Sequence, residues 1–169
     1  MKIIEALKKR EDLKRKADDL RALVRDNCAL SSFDTPKYAD QKKQVREWIQ
    51  AHSDVLTEIE RLTLAIQRTN LKTIVTIELG TKVVEKPIAA WILRRRDLAK
   101  LELAMWNQLS DRNIKEGFAN GPSGDPIEIK LARFYDPQER DTRRELYASE
   151  PSVIDARLEV VNATTDLIE

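Results

Sequence analysis

One spacing rule governs the stretch 38–66: Tyr38, Gln41, Val45, Trp48, His52, Val55, Ile59, Leu62 and Ile66 succeed one another at steps of three and four residues without a break. That alternation holds one stripe of a helix against a partner. At 1.5 Å per residue it predicts a coiled-coil-like helix of roughly 50 Å. A second seam precedes it, with Ile3, Ala6, Leu13, Ala17, Leu20 and Val24 at positions 3, 6, 13, 17, 20 and 24 and Arg10 as its charged member. Asn27 and the run from Ser31 to Pro36 interrupt it. Asp34 or Thr35 is the expected N-cap, and Pro36 the first helical position of the next element. A connection this short predicts an antiparallel helical hairpin over 1–70.

After Asn70 the period changes to two. Ile74 to Leu79 is rich in β-branched residues, and Gly80 separates it from Thr81 to Val84, so 73–84 reads as a β-hairpin. Pro87 opens a third helix expected over 87–115, carrying Ile88, Trp91, Ile92, Leu98, Leu101, Met105 and Leu109 on its apolar stripe. The stretch 117–125 holds three of the four glycines and reads as an exposed loop. Ile127, Ile129 and Leu131 alternate with charged residues as a third strand that would join the hairpin. From Asp136 the pattern is helical to 168, with a break expected at Ser149 to Pro151.

The expected fold is therefore mainly α: one domain over 1–169, two antiparallel long-helix hairpins forming a bundle, and a small three-stranded antiparallel β element. Leu13, Leu20, Val45, Trp48, Val55, Ile59, Leu62, Leu98, Met105 and Leu158 form its expected core. A faint internal echo fits two hairpins, since Arg10 to Leu13 resembles Arg95 to Leu98 and Ile66 to Asn70 resembles Val160 to Thr164.

Charge narrows the function classes. Thirty basic side chains face 29 acidic ones, so no long-range positive field exists to condense on phosphate backbones. The basic runs Lys8 to Arg10 and Arg94 to Arg96 are followed at once by Glu11, Asp12 and Asp97, which neutralise them on the same turns. Direct nucleic-acid reading is not expected. No apolar run approaches the ~20 residues of a membrane span, and the residues after Met1 are charged where a secretory signal would be apolar. The lone Cys28 forms no intramolecular disulfide, and synthesis in a reducing cytoplasm is expected. Cys28 itself reads as a small buried thiol beside Ala29 and Leu30.

Catalytic chemistry finds no constellation. His52 sits on a helix seam, and a metal site needs several convergent donors where this chain has one histidine and one cysteine. A Cys28 nucleophile would need a base and an orienting group that no spacing supplies. No catalytic residue, metal ligand or cofactor site is expected. Trp48 and Trp91 read as core. Leu103, Trp106 and Leu109, at the margin of the third stripe, are the candidate contact between subunits.

Over nearly the whole chain the order of elements resembles that of the septicolysin-annotated family of small bacterial and phage proteins. Three stretches carry the resemblance: Glu5 to Leu13 with Leu20 and Arg21, Ile66 to Asn70, and Asp155 to Leu158 with Asn162 and Thr164 to Leu167. The family name implies a cytolysin. This sequence has no amphipathic segment distinct from its core stripes, and haemolysis is not carried over.

The functional expectation is a non-enzymatic, self-assembling structural protein of a phage virion or an intracellular oligomer, with itself or other structural proteins as partners. A module sequestering a small ligand or nucleotide in the 117–125 loop is the alternative. An enzyme is a third reading with no feature beyond that loop.

Overall fold

The computed structural model describes residues 1–168. Its elements, in chain order, are α1 (Ile3–Asn27), α2 (Gln41–Lys72), β1 (Ile74–Leu79), β2 (Lys82–Pro87), α3 (Ile88–Leu93), a π-helical turn (Arg94–Leu98), α4 (Ala99–Trp106), β3 (Gly117–Asn120), β4 (Pro126–Ile129) and α5 (Pro137–Thr164). The mainly helical class and the small antiparallel sheets follow the expectation. The sheets, however, are two-stranded: β1 pairs with β2, and β3 with β4. The strand expected at 127–131 does not join the hairpin. It pairs with Gly117–Asn120, because a turn of five residues closes that ribbon while joining β1 or β2 would require closing a far longer loop.

The chain forms two compact units. The first comprises Met1–Val75, Pro87–Ala89 and the stretch from Leu158 onward; the second comprises Thr76–Lys86 and Ala90–Arg157.

In the first unit α1 and α2 run antiparallel. Ala6 clusters with Leu62 and Ile66, while Ala17 and Leu20 cluster with Val55, flanked by Leu13, Trp48 and Ile59. Leu62 is fully buried and Leu13, Val45, Trp48 and Ile59 are half-buried, as a two-helix seam open on its sides requires. The Asp40 carboxylate accepts from the Lys43 N–H at 2.9 Å and starts α2. This corrects the cap expected at Asp34 or Thr35: proline at 36 permits a helix start without supplying the side-chain acceptor that satisfies the first free N–H groups. Gln41 Nε2 donates to the Asn27 carbonyl at 3.0 Å and ties the end of α1 to the start of α2. Residues 1–3 meet 164–167 here as well. The Lys2 ammonium donates to the Thr164 carbonyl at 2.8 Å and pairs with Asp166 at 2.9 Å, and Leu167 N–H donates to the Met1 carbonyl.

The second unit departs most from the simple periodic reading. The third helical rod ends at Trp106, well short of 115, and one turn within it is π-helical. A π turn holds one extra residue, so every side chain beyond it is rotated by about 100° relative to a continuous α-helix. Trp91 is fully buried before the turn and Ala99 fully buried after it. Leu98 and Met105, expected in the core on constant spacing from Trp91, are instead 38% and 68% exposed. The break expected at Pro151 is also absent, for α5 continues through it. Glu150 and Ile154, one turn apart, are both buried and pin the helix on either side of the proline.

Candidate functional site

Among the apolar residues buried on the rod and α5, Trp91, Ala99 and Ile154, one ion pair is enclosed. The Arg94 guanidinium forms two hydrogen bonds to the Glu150 carboxylate, Nη2 to Oε2 at 3.0 Å and Nε to Oε1. Glu150 is 2% exposed and Arg94 17%. Arg94 also lies 5.7 Å from the Tyr147 ring centre, and Glu102 is 3.9 Å from its Nη1. The Glu150 hydrogen bond holds the Arg94 proton still more tightly than usual, outweighing burial, which works against it. Further along, the Arg143 guanidinium lies 5.8 Å from the Trp106 ring, and Arg95 pairs with Asp155. These contacts place residues 94–106 opposite 155–143, so the two helices run in opposite directions.

The outer face carries apolar side chains too. Leu101 and Met105 are 65% and 68% exposed, with Leu98 beside them on the same stripe at three- and four-residue steps. Helices of globular proteins ordinarily turn such a stripe inward. Here the extra residue in the turn Arg94–Leu98 turns Leu98, Leu101 and Met105 outward.

A second unpartnered apolar surface follows. All eight residues of β3 and β4 are exposed. Their register sets Ile127 opposite Ala119 and Ile129 opposite Gly117, giving one face of the ribbon two isoleucines against small neighbours. Phe118 projects on the other face, and Phe134 just beyond the ribbon is almost wholly exposed. The base of this arm is braced. Asp111 accepts from Arg133 Nε and Nη2 at 2.8 and 2.7 Å and from the Tyr135 hydroxyl at 2.8 Å. Those bonds, Arg133 foremost, hold the Asp111 carboxyl down at about 2. Arg112 and Asn113 both adopt positive φ, 53° and 59°, a left-handed pair that reverses the chain into the arm.

The expected interface residues lie on the rod, at Leu103 and Trp106, and just beyond its end, at Leu109. Leu103, Trp106 and Leu109 are half-buried, and the Trp106 ring lies 5.8 Å from the Arg143 guanidinium. Constant spacing could not find Leu98, Leu101 and Met105 as an outward stripe, since nothing in the run Arg94 to Leu98 signals the extra residue in the turn. Cys28 is exposed, which corrects the buried thiol expected there: α1 ends just before it and the chain turns out to solvent. His52 is half-buried beside Leu20, Val24 and Ile49 in a shallow groove of about 260 Å³. Among the described residues no group of three or more His, Cys, Asp or Glu is placed to hold a metal, and no helix is long and apolar enough to cross a membrane.

Residues 5–167 match the profile of a family of unknown function, DUF6847. The chain belongs to that family. No curated protein matches this DUF6847 chain. Among solved structures it is similar to a functionally unknown conserved protein from Corynebacterium diphtheriae, at 23% identity over 99% of each chain with a TM-score of 0.58. At that identity the likeness shows a shared fold for this DUF6847 member and nothing about activity.

Proposed function

We propose that this protein is a non-enzymatic assembly component that works by self-association through its second unit. The observation that carries the reading is the outward stripe of the rod, with Leu98, Leu101 and Met105 38%, 65% and 68% exposed while Trp91 and Ala99 on the same rod are fully buried. An exposed apolar stripe of this size is often functional on a folded domain. A second copy is the natural occupant, because a net charge of +1 on 169 residues leaves little repulsion between copies. A virion or an intracellular oligomer would both use such a subunit.

The ligand-sequestering alternative has less support. Within 117–125 the chain forms β3 and a turn closed by the Gly121 N–H to Asp125 carbonyl bond of 2.8 Å, with every strand residue exposed. A drug-sized site is concave and largely enclosed.

Sedimentation equilibrium at micromolar concentration tests the reading. The wild-type chain is expected above its monomer mass of 19.5 kDa, and Leu101→Glu with Met105→Glu is expected to return it to monomer with unchanged circular dichroism. A wild-type monomer throughout the range refutes self-association.

A further inference from the structure

We propose that the β3–β4 arm of one copy closes over the Leu98, Leu101 and Met105 stripe of a second copy, and reciprocally, so that the subunits join by exchange of arms. Arm exchange presupposes the self-association proposed above and specifies which surfaces meet.

Area decides between the ways two copies could join. Taking roughly 200 Å² for a fully exposed large side chain, the exposures of Leu98, Leu101 and Met105 amount to roughly 350 Å² per copy. Two stripes packed on each other would bury about 700 Å², below the roughly 1,200 Å² at which stable interfaces begin. On the face of the arm that carries them, Ile127 and Ile129, with Phe134 just beyond, add roughly 380 Å² per copy by the same measure. Stripe and that face of the arm together reach about 1,450 Å² over two copies, inside the standard range.

The arm's own construction points the same way. A two-stranded ribbon is marginal in water unless a face is covered, yet this one is exposed on both sides. Within one chain, stripe and ribbon are both left open, so the arm does not cover the stripe of its own copy. The Asp111 bonds to Arg133 and Tyr135 fix its base, which presents the ribbon in a set direction and lowers the ordering cost of docking. The face carrying Ile127 and Ile129 is aliphatic and nearly flat, with Gly117 and Ala119 opposite, and matches a leucine and methionine stripe. Glu128 and Lys130 pair with each other at 3.1 Å, on the face of the ribbon away from Ile127 and Ile129.

Cysteine cross-linking of the full chain tests the exchange. In a Cys28→Ser background, an Ile127→Cys chain and a Met105→Cys chain carrying different tags are mixed, equilibrated and oxidised, with sedimentation equilibrium run on the same samples. Arm exchange gives a disulfide between the two different chains as the dominant product. Dimers that cross-link only M105C to M105C show stripe against stripe, and dimers that cross-link only I127C to I127C show arm against arm. Either outcome overturns arm exchange while self-association stands, as do dimers in which none of the three pairs forms. A monomer in sedimentation overturns both. As an independent reading, Ile127→Glu with Ile129→Glu alters only exposed side chains of the contact face and is expected to raise the dimer Kd at least tenfold at unchanged circular dichroism. An unchanged Kd overturns the arm's part.

Discussion

Replacing Glu150 by alanine isolates the buried charge at the centre of the second unit. The substitution leaves Arg94, 17% exposed, without its two-bond partner. Removing one member of a buried ion pair costs about 3–5 kcal/mol, because the remaining charge stays desolvated. Arg94 retains Glu102 at 3.9 Å and the Tyr147 ring at 5.7 Å, which places the expected loss near the lower bound, about 3 kcal/mol. With a urea m-value of about 2 kcal/mol/M, the unfolding midpoint falls by about 1.5 M. Trp91 and Trp106 both lie in the second unit and Trp48 in the first, so a Trp48→Phe background makes tryptophan fluorescence report the second unit alone. The companion variant, Arg94→Met with Glu150→Leu, removes both charges at similar volume and is expected within about 1 kcal/mol of the parent, or above it. A loss below about 0.5 kcal/mol for Glu150→Ala would mean that solvent reaches Arg94 and that the pair does not hold α5 to the rod.

Three further outcomes are expected. Leu62→Ala, at a fully buried seam position, costs about 2–5 kcal/mol by urea unfolding, and Ile59→Ala, half-buried, costs less than Leu62→Ala. Gly80→Ala costs about 1–2 kcal/mol in thermal unfolding, since Gly80 has φ +61° and an added Cβ would lie 3.3 Å from Leu146 Cδ1. Asp111 has its pKa lowered from 3.8 to about 2 in the folded chain, so its contribution is present above the unfolded value and is lost as pH falls through the folded one; Asp111→Asn should therefore flatten the fall of Tm between pH 4 and 2, and an identical fall in both proteins would contradict the brace.

The first unit was largely legible in the sequence because it obeys one period. The seam from Val45 to Ile66 became α2, and the switch to period two at Ile74 became β1, since in both cases the side-chain pattern and the buried face coincide. In the second unit a single inserted residue in the turn Arg94–Leu98 separated pattern from burial, and Leu98 and Met105, expected in the core, turn outward. Proline at 151 misled in the opposite sense. Its local cost is real, but the burial of Glu150 and Ile154 outweighs it, and such long-range contacts carry no sequence spacing of their own. The apolar arm was read as loop and strand without a partner assigned correctly, because glycine and proline content marks a turn without saying what the flanking residues will pair with.

The division of the chain also orders events at the ribosome. The polypeptide leaves the first unit after Val75, builds most of the second from Ala90 to Arg157, and returns to the first at Leu158. The second unit can therefore condense on the nascent chain while the first still lacks part of itself. Only when Thr165 to Ile168 emerge can Ile3 N–H reach the Thr165 carbonyl, Lys2 meet Asp166, and Ile168 N–H bond the Thr69 hydroxyl at 2.8 Å. Until then the stripe and the arm would stand exposed on a finished module tethered to an unfinished one, and neighbouring nascent chains on one message would be the nearest copies available to cover them.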